Sequence, residues 1–64
     1  MNNVKEIRTE RSLTQTNVSE KAGITQAYLS QIENGKRSMS IVTAVKLANV
    51  FGVTLDELIR ESEE

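Results

Sequence analysis

The side chains of this chain that could do chemistry are amides, hydroxyls and a few cations. Histidine and cysteine are both absent from its 64 residues. That leaves no imidazole base, no thiolate nucleophile, no disulfide and no thiolate metal site. The scattered serines and lysines do not make a nucleophile–base pair, so catalysis is not expected. The informative stretch is 14–37, TQTNVSEKAGITQAYLSQIENGKR. At about 100° per residue, Leu29 and Ile32 mark the buried direction of the run 26–33. Ala27, Ser30, Gln31 and Asn34 point the opposite way, with Gln26 and Tyr28 on the flanks. This outward face is short, uncharged and amide-bearing, where a surface helix more usually carries Glu and Lys. Glutamine can pair bidentately with N6 and N7 of adenine, and alanine can touch a thymine methyl. Lys36 and Arg37 follow Gly35, a joint that faces an anion rather than a core. Two helices, a tight turn and a basic loop are what reading duplex DNA requires: one helix in the major groove, one bracing it, and donors for flanking phosphates.

The elements that must position these groups are marked by their ends. The chain has three glycines and no proline. Gly23, Gly35 and Gly52 each follow a run with helical spacing, where positive φ ends a helix cheaply. Ile24 and Val53 come after the first and last of them, as a Schellman-like stop often requires. Thr14, Thr25 and Ser40 each precede such a run and can accept from its orphan N–H groups. Thr54 with Glu57 forms a capping box. The spacing predicts an all-α chain of five helices over 2–11, 15–22, 26–33, 41–51 and 56–61. No alternating strand pattern competes.

Length predicts one domain over 1–64, with a thin core drawn from about 4–59 and an acidic tail at 60–64. The 38% hydrophobic content suits a globule. No run approaches a membrane span and no secretory signal is visible, so the expected location is the cytoplasm. No cofactor and no metal are expected. The net charge of −1 argues against a nucleic-acid partner, but its distribution reverses that. Residues 1–53 carry seven basic against four acidic groups, and 54–64 one basic against five acidic. A mildly basic body with an acidic end fits one DNA-facing side.

Taken in order, the following residues resemble the Cro and phage-repressor (XRE) type of helix-turn-helix protein: Ile7-Arg8, Arg11, Leu13-Thr14-Gln15, Val18, Lys21-Ala22-Gly23-Ile24, Tyr28-Leu29-Ser30, Ile32-Glu33-Asn34-Gly35-Lys36-Arg37, Leu47-Ala48, Gly52-Val53 and Leu55-Asp56-Glu57-Leu58. The resemblance spans about residues 4–59. It implies a compact five-helix, lambda-repressor-like domain whose helices 2 and 3 form the helix-turn-helix, with helix 3 in the major groove. It implies base contacts from Gln26, Ala27, Ser30 and Gln31, and phosphate contacts from Gln15, Tyr28, Asn34, Lys36 and Arg37. The position of Gln15 at a helix N-terminus independently favours phosphate. The resemblance makes Arg8 and Glu33 an internal ion pair, and Glu33 sits far enough round the wheel to reach inward. Arg11 stays open between a phosphate contact and a solvated helix end. Three departures stand out. Met39 replaces a usual proline, which points to a looser loop. Ser19 replaces a usual alanine and can bond its own backbone. The C-terminal extension is only a few acidic residues, so no effector control within the monomer is expected.

One reading helix touches too few base pairs for useful specificity. The expected working unit is therefore a homodimeric transcriptional repressor on inverted half-sites, their centres about 34 Å apart. The expected interface is Val50, Val53, Leu55, Leu58 and Ile59, with the core using Leu55 and Leu58 and leaving Ile59 to the partner. The alternative is a helical adaptor or antitoxin-type module that binds protein through an apolar strip of Val42, Val45 and Val50.

Overall fold

Hydroxyl caps set the starts of the helices. In the computed structural model, which describes residues 2–60, Thr14, Thr25, Ser40 and Thr54 are all extended N-cap residues. Each side chain accepts from the backbone N–H three residues on: Asn17, Tyr28, Thr43 and Glu57. They open α2 (Gln15–Ala22), α3 (Gln26–Glu33), α4 (Ile41–Phe51) and α5 (Leu55–Ile59), which follow α1 (Val4–Glu10). Thr54 and Glu57 close the expected capping box, and Thr14 with Asn17 closes a second one. The helix 2–11 expected from spacing begins later, at Val4, because the Asn2 side chain accepts from the Val4 N–H at 3.0 Å and takes the place of a preceding turn. The last helix starts one residue earlier than expected, straight after its cap, and stops at Ile59 where Arg60 turns extended. The expected end at Glu61, and the tail beyond Arg60, lie outside the described residues.

The stops use left-handed residues. Gly23 has φ 71°, and a Cβ there would meet nothing within 4 Å, so the backbone angle rather than crowding selects glycine. The Ile24 N–H then reaches back to the Ser19 carbonyl at 3.0 Å, the long bond of a Schellman stop. Gly35 and Gly52 have similar φ. A fourth stop was not foreseen: Ser12, at φ 55°, ends α1, with the Leu13 N–H bonded to the Arg8 carbonyl at 3.1 Å.

The five helices close on a core of Val4, Ile7, Val18, Ala22, Leu29, Ile32, Ala44, Leu47, Ala48, Phe51 and Leu58. Helix α2 packs on α3 and α4, α4 on α5, and α1 on α3, α4 and α5. The Asn3 N–H donates to the Leu58 carbonyl at 2.9 Å and ties the first helix to the last. Ser19 is buried and its hydroxyl donates to the Thr16 carbonyl at 3.1 Å, the backbone bond expected of it. Met39 packs half-buried against the core. Two expectations for α5 are corrected. Leu58 is 0% exposed and belongs wholly to the core, so it is no part of a surface for a partner. Leu55, in the first turn of a five-residue helix, is turned outward at 39% exposure and does not share that core role.

Candidate nucleic-acid interface

Burying Leu29 and Ile32 rotates the opposite side of α3 into solvent. Gln26, Ala27, Gln31 and Asn34 are exposed, and Ser30 and Tyr28 are half-buried. The Asn34 amide donates to the Ser30 hydroxyl at 3.4 Å. Beyond Asn34 the chain turns through Gly35, and the Lys36 N–H bonds back to the Gln31 carbonyl at 2.9 Å. Lys36 and Arg37 are thereby presented, exposed, beside the end of α3.

Arg37 does not simply extend into water. Its guanidinium lies 5.5 Å from the Tyr28 ring centroid, within cation–π range. Its Nη1 donates to Gln31 Oε1 at 3.4 Å. The Tyr28 hydroxyl lies 3.4 Å from that of Thr43, which also takes a 3.0 Å bond from Ser40. The Thr43 hydroxyl, helped by Ser40 and the Arg37 charge, holds the Tyr28 phenol below its ordinary pKa. Tyr28, Gln31 and Arg37 are thus brought together at one end of the face, anchored on the start of α4.

The ion pair meets the inward-facing side of α3 at Glu33, its last residue. Arg8 Nε donates to Glu33 Oε2 at 2.7 Å and Nη2 to Oε1 at 3.1 Å. The side chains are 12% and 1% exposed. Arg8 Nη1 also donates to the Leu13 carbonyl at 2.9 Å, so the guanidinium braces the end of α1 as well. Gln15, assigned to phosphate from the sequence, is half-buried, and its amide nitrogen turns inward to Glu33 Oε1 at 2.9 Å. Its oxygen accepts from Gln26 Nε2 at 3.4 Å. The Thr16 hydroxyl donates to Gln26 Oε1 at 3.3 Å. Thr16 and Thr43 were not singled out from the sequence, since neither sits in a pattern that distinguishes it from an ordinary surface threonine. Arg11 is exposed at the end of α1. Among the described residues no group of three or more Asp and Glu is placed to hold a metal ion, and no helix is long and apolar enough to cross a membrane.

A capped two-helix unit with an outward amide face and a basic loop defines a helix-turn-helix domain. The family model described as helix-turn-helix matches residues 4–58. The chain is similar to the uncharacterized HTH-type transcriptional regulator y4dJ of Sinorhizobium fredii, 37% identical over 62 residues that span 97% of this chain and 80% of that one. Its fold is similar to the N-terminal DNA binding domain of SinR from Bacillus subtilis, with TM-score 0.87, 32% identity and coverage of 97% of this chain and 91% of that one. It is also similar to the restriction-modification controller protein C.AhdI from Aeromonas hydrophila, with TM-score 0.85, 30% identity and coverage of 89% and 86%. The chain belongs to the Cro/phage-repressor (XRE) type of helix-turn-helix family, whose members are DNA-binding transcriptional regulators and not enzymes.

Proposed function

We propose that this regulator is a cytoplasmic repressor that reads operator DNA as a homodimer, with α3 in the major groove. The observation that carries the reading is the exposed, uncharged amide face of α3 with two exposed cations directly after it. Gln26, Ala27, Ser30 and Gln31 meet base edges, while Lys36, Arg37, Asn34 and Tyr28 anchor flanking phosphates. The side-chain amide of Gln15 is engaged with Glu33, so its share of the phosphate work falls to its backbone N–H at the start of α2 and to its remaining amide hydrogen. The partner surface is Val50, Val53, Leu55 and Ile59, of which Leu55 and Ile59 are 39% and 53% exposed. Pairing through it sets two α3 helices on inverted half-sites.

Gln31→Ala tests the base-reading role. Gln31 is exposed, so the fold should survive. Affinity for the preferred site should fall by roughly 1–3 kcal/mol, with little change on random DNA. Equal losses on both would reject base reading. A second reading, docking of a protein partner, is favoured by one observation: Ile41, Val42 and Val45 are 77%, 63% and 40% exposed on the first turns of α4. Val50, the third member of the strip expected from the sequence, is half-buried against the core.

A further inference from the structure

We propose that Arg37 sets the polarity of the Gln31 amide, so that the C-terminal half of the α3 face offers hydrogen-bond donors alone and reads a guanine. The inference rests on the reading that Gln31 meets a base edge. Its premise is that a guanidinium carries donors and no acceptor. Arg37 Nη1 lies 3.4 Å from the tip of the Gln31 side chain, so the Gln31 atom that faces it is necessarily the oxygen. The amide is planar, so its nitrogen turns away from Arg37, and among the described residues it has no protein partner. Arg37 is itself held. Its guanidinium lies 5.5 Å from the Tyr28 ring centroid, and the Tyr28 hydroxyl is 3.4 Å from that of Thr43 on α4. The Lys36 N–H, bonded to the Gln31 carbonyl at 2.9 Å, brings the loop that carries Arg37 back onto the helix. Ser30, one residue before Gln31, has the same polarity. Its oxygen accepts from the Asn34 amide at 3.4 Å, and among the described residues its hydroxyl proton has no protein acceptor.

The consequence lies in the base edges of the major groove. Guanine presents two adjacent acceptors, N7 and O6. Adenine sets an N6 donor beside its N7, cytosine presents an N4 donor, and thymine has O4 beside a methyl. A glutamine free to flip matches adenine with one donor and one acceptor. A glutamine whose oxygen is already engaged matches guanine with the two hydrogens of its nitrogen, and the Ser30 hydroxyl adds a donor beside them. Arg37 is then a positioning residue for specificity. That role is separable from its phosphate contact, because Nη1 is engaged by Gln31 while the remaining N–H groups stay open to an anion. Losing a phosphate contact weakens all duplexes alike, whereas losing the polarity changes the ratio between them.

The experiment uses the full chain. Selection from a random duplex library gives the preferred site, and the position read by Gln31 is the one whose base preference Gln31→Ala abolishes. Duplexes carrying guanine, adenine or 7-deazaguanine, which lacks the N7 acceptor, at that position are then titrated with the parent protein, Arg37→Ala and Lys36→Ala. The expected result is that the parent protein prefers guanine and loses about fivefold or more in affinity on 7-deazaguanine. Arg37→Ala should narrow the preference for guanine over adenine by about fivefold or more, while Lys36→Ala weakens every duplex by one factor and keeps the preference. The inference is overturned if the parent protein prefers an A·T or T·A pair at that position, if 7-deazaguanine binds as well as guanine, or if Arg37→Ala behaves as Lys36→Ala does. Should Arg37→Ala fail to fold, the comparison of guanine with adenine and 7-deazaguanine in the parent protein decides alone. A Gln31→Ala variant that alters preference at no position rejects the base-reading role of Gln31 itself, and the inference with it.

Discussion

Glu33 is where the polar contacts of α1, α2 and α3 meet. Three donors from two helices, two from Arg8 and one from Gln15, converge on one buried carboxylate. Removing the carboxylate leaves the Arg8 charge with only the Leu13 carbonyl, and an uncompensated buried charge is costly. Glu33→Ala should therefore destabilise by up to about 3–5 kcal/mol in thermal or urea unfolding without DNA. An unchanged melting curve would mean that the pair does not hold the helices together. The pair was legible from the resemblance together with the inward tilt of Glu33 on the α3 wheel. The bond from the Gln15 amide to Glu33 was not. A glutamine in a first turn has a donor and an acceptor at its tip, and helical periodicity says nothing about which neighbour meets which. Thr16 and Thr43 escaped notice for the same reason: their contacts with Gln26 and Tyr28 are made across helices and leave no mark in local spacing.

The helices themselves were read more completely, because their ends are written in side chains that bond their own backbone. All four hydroxyl caps sit where the sequence placed them, and α2, α3 and α4 have the expected bounds. Helix α1 was misjudged at both ends. Its start depends on the Asn2 side chain rather than a hydroxyl cap, and its stop uses a serine where the other left-handed stops use glycine. Ser12 at φ 55° carries a steric cost that glycine lacks, about 1–2 kcal/mol for an L-residue in this region. Glycine loses more backbone entropy on folding, about 0.5–1 kcal/mol. The balance favours Ser12→Gly by roughly 0.5–1 kcal/mol, read as a rise in melting temperature of the free protein. A fall would show that the Ser12 hydroxyl contributes more than its backbone costs.

How copies of this domain combine depends on which apolar residues are left over once the core is filled. Leu55, Leu58 and Ile59 share one stripe by sequence, yet only Leu58 is fully buried. A five-residue helix presents so short an arc that periodicity cannot divide core from surface along it; the bonds from Asn3 to the Glu57 and Leu58 carbonyls set its rotation. Ile59, at 53% exposure, is thus a better partner residue than Leu58. Ile59→Glu should lower the mass of the free protein in sedimentation and weaken DNA binding in parallel, while helical circular dichroism is kept. Unaltered assembly together with full DNA affinity would place pairing elsewhere or remove it. The domain measures 30 × 23 × 19 Å, and under the proposed reading each copy is expected to engage one half-site. The most direct test of the account is selection of binding sites from a random duplex library, followed by titration of the recovered site and of its scrambled version at one fixed salt concentration. The account predicts recovery of inverted half-sites with centres about 34 Å apart, bound at least about a thousandfold more tightly than the scrambled duplex. A library that emerges without a shared sequence, or equal affinity for the two duplexes, would contradict it.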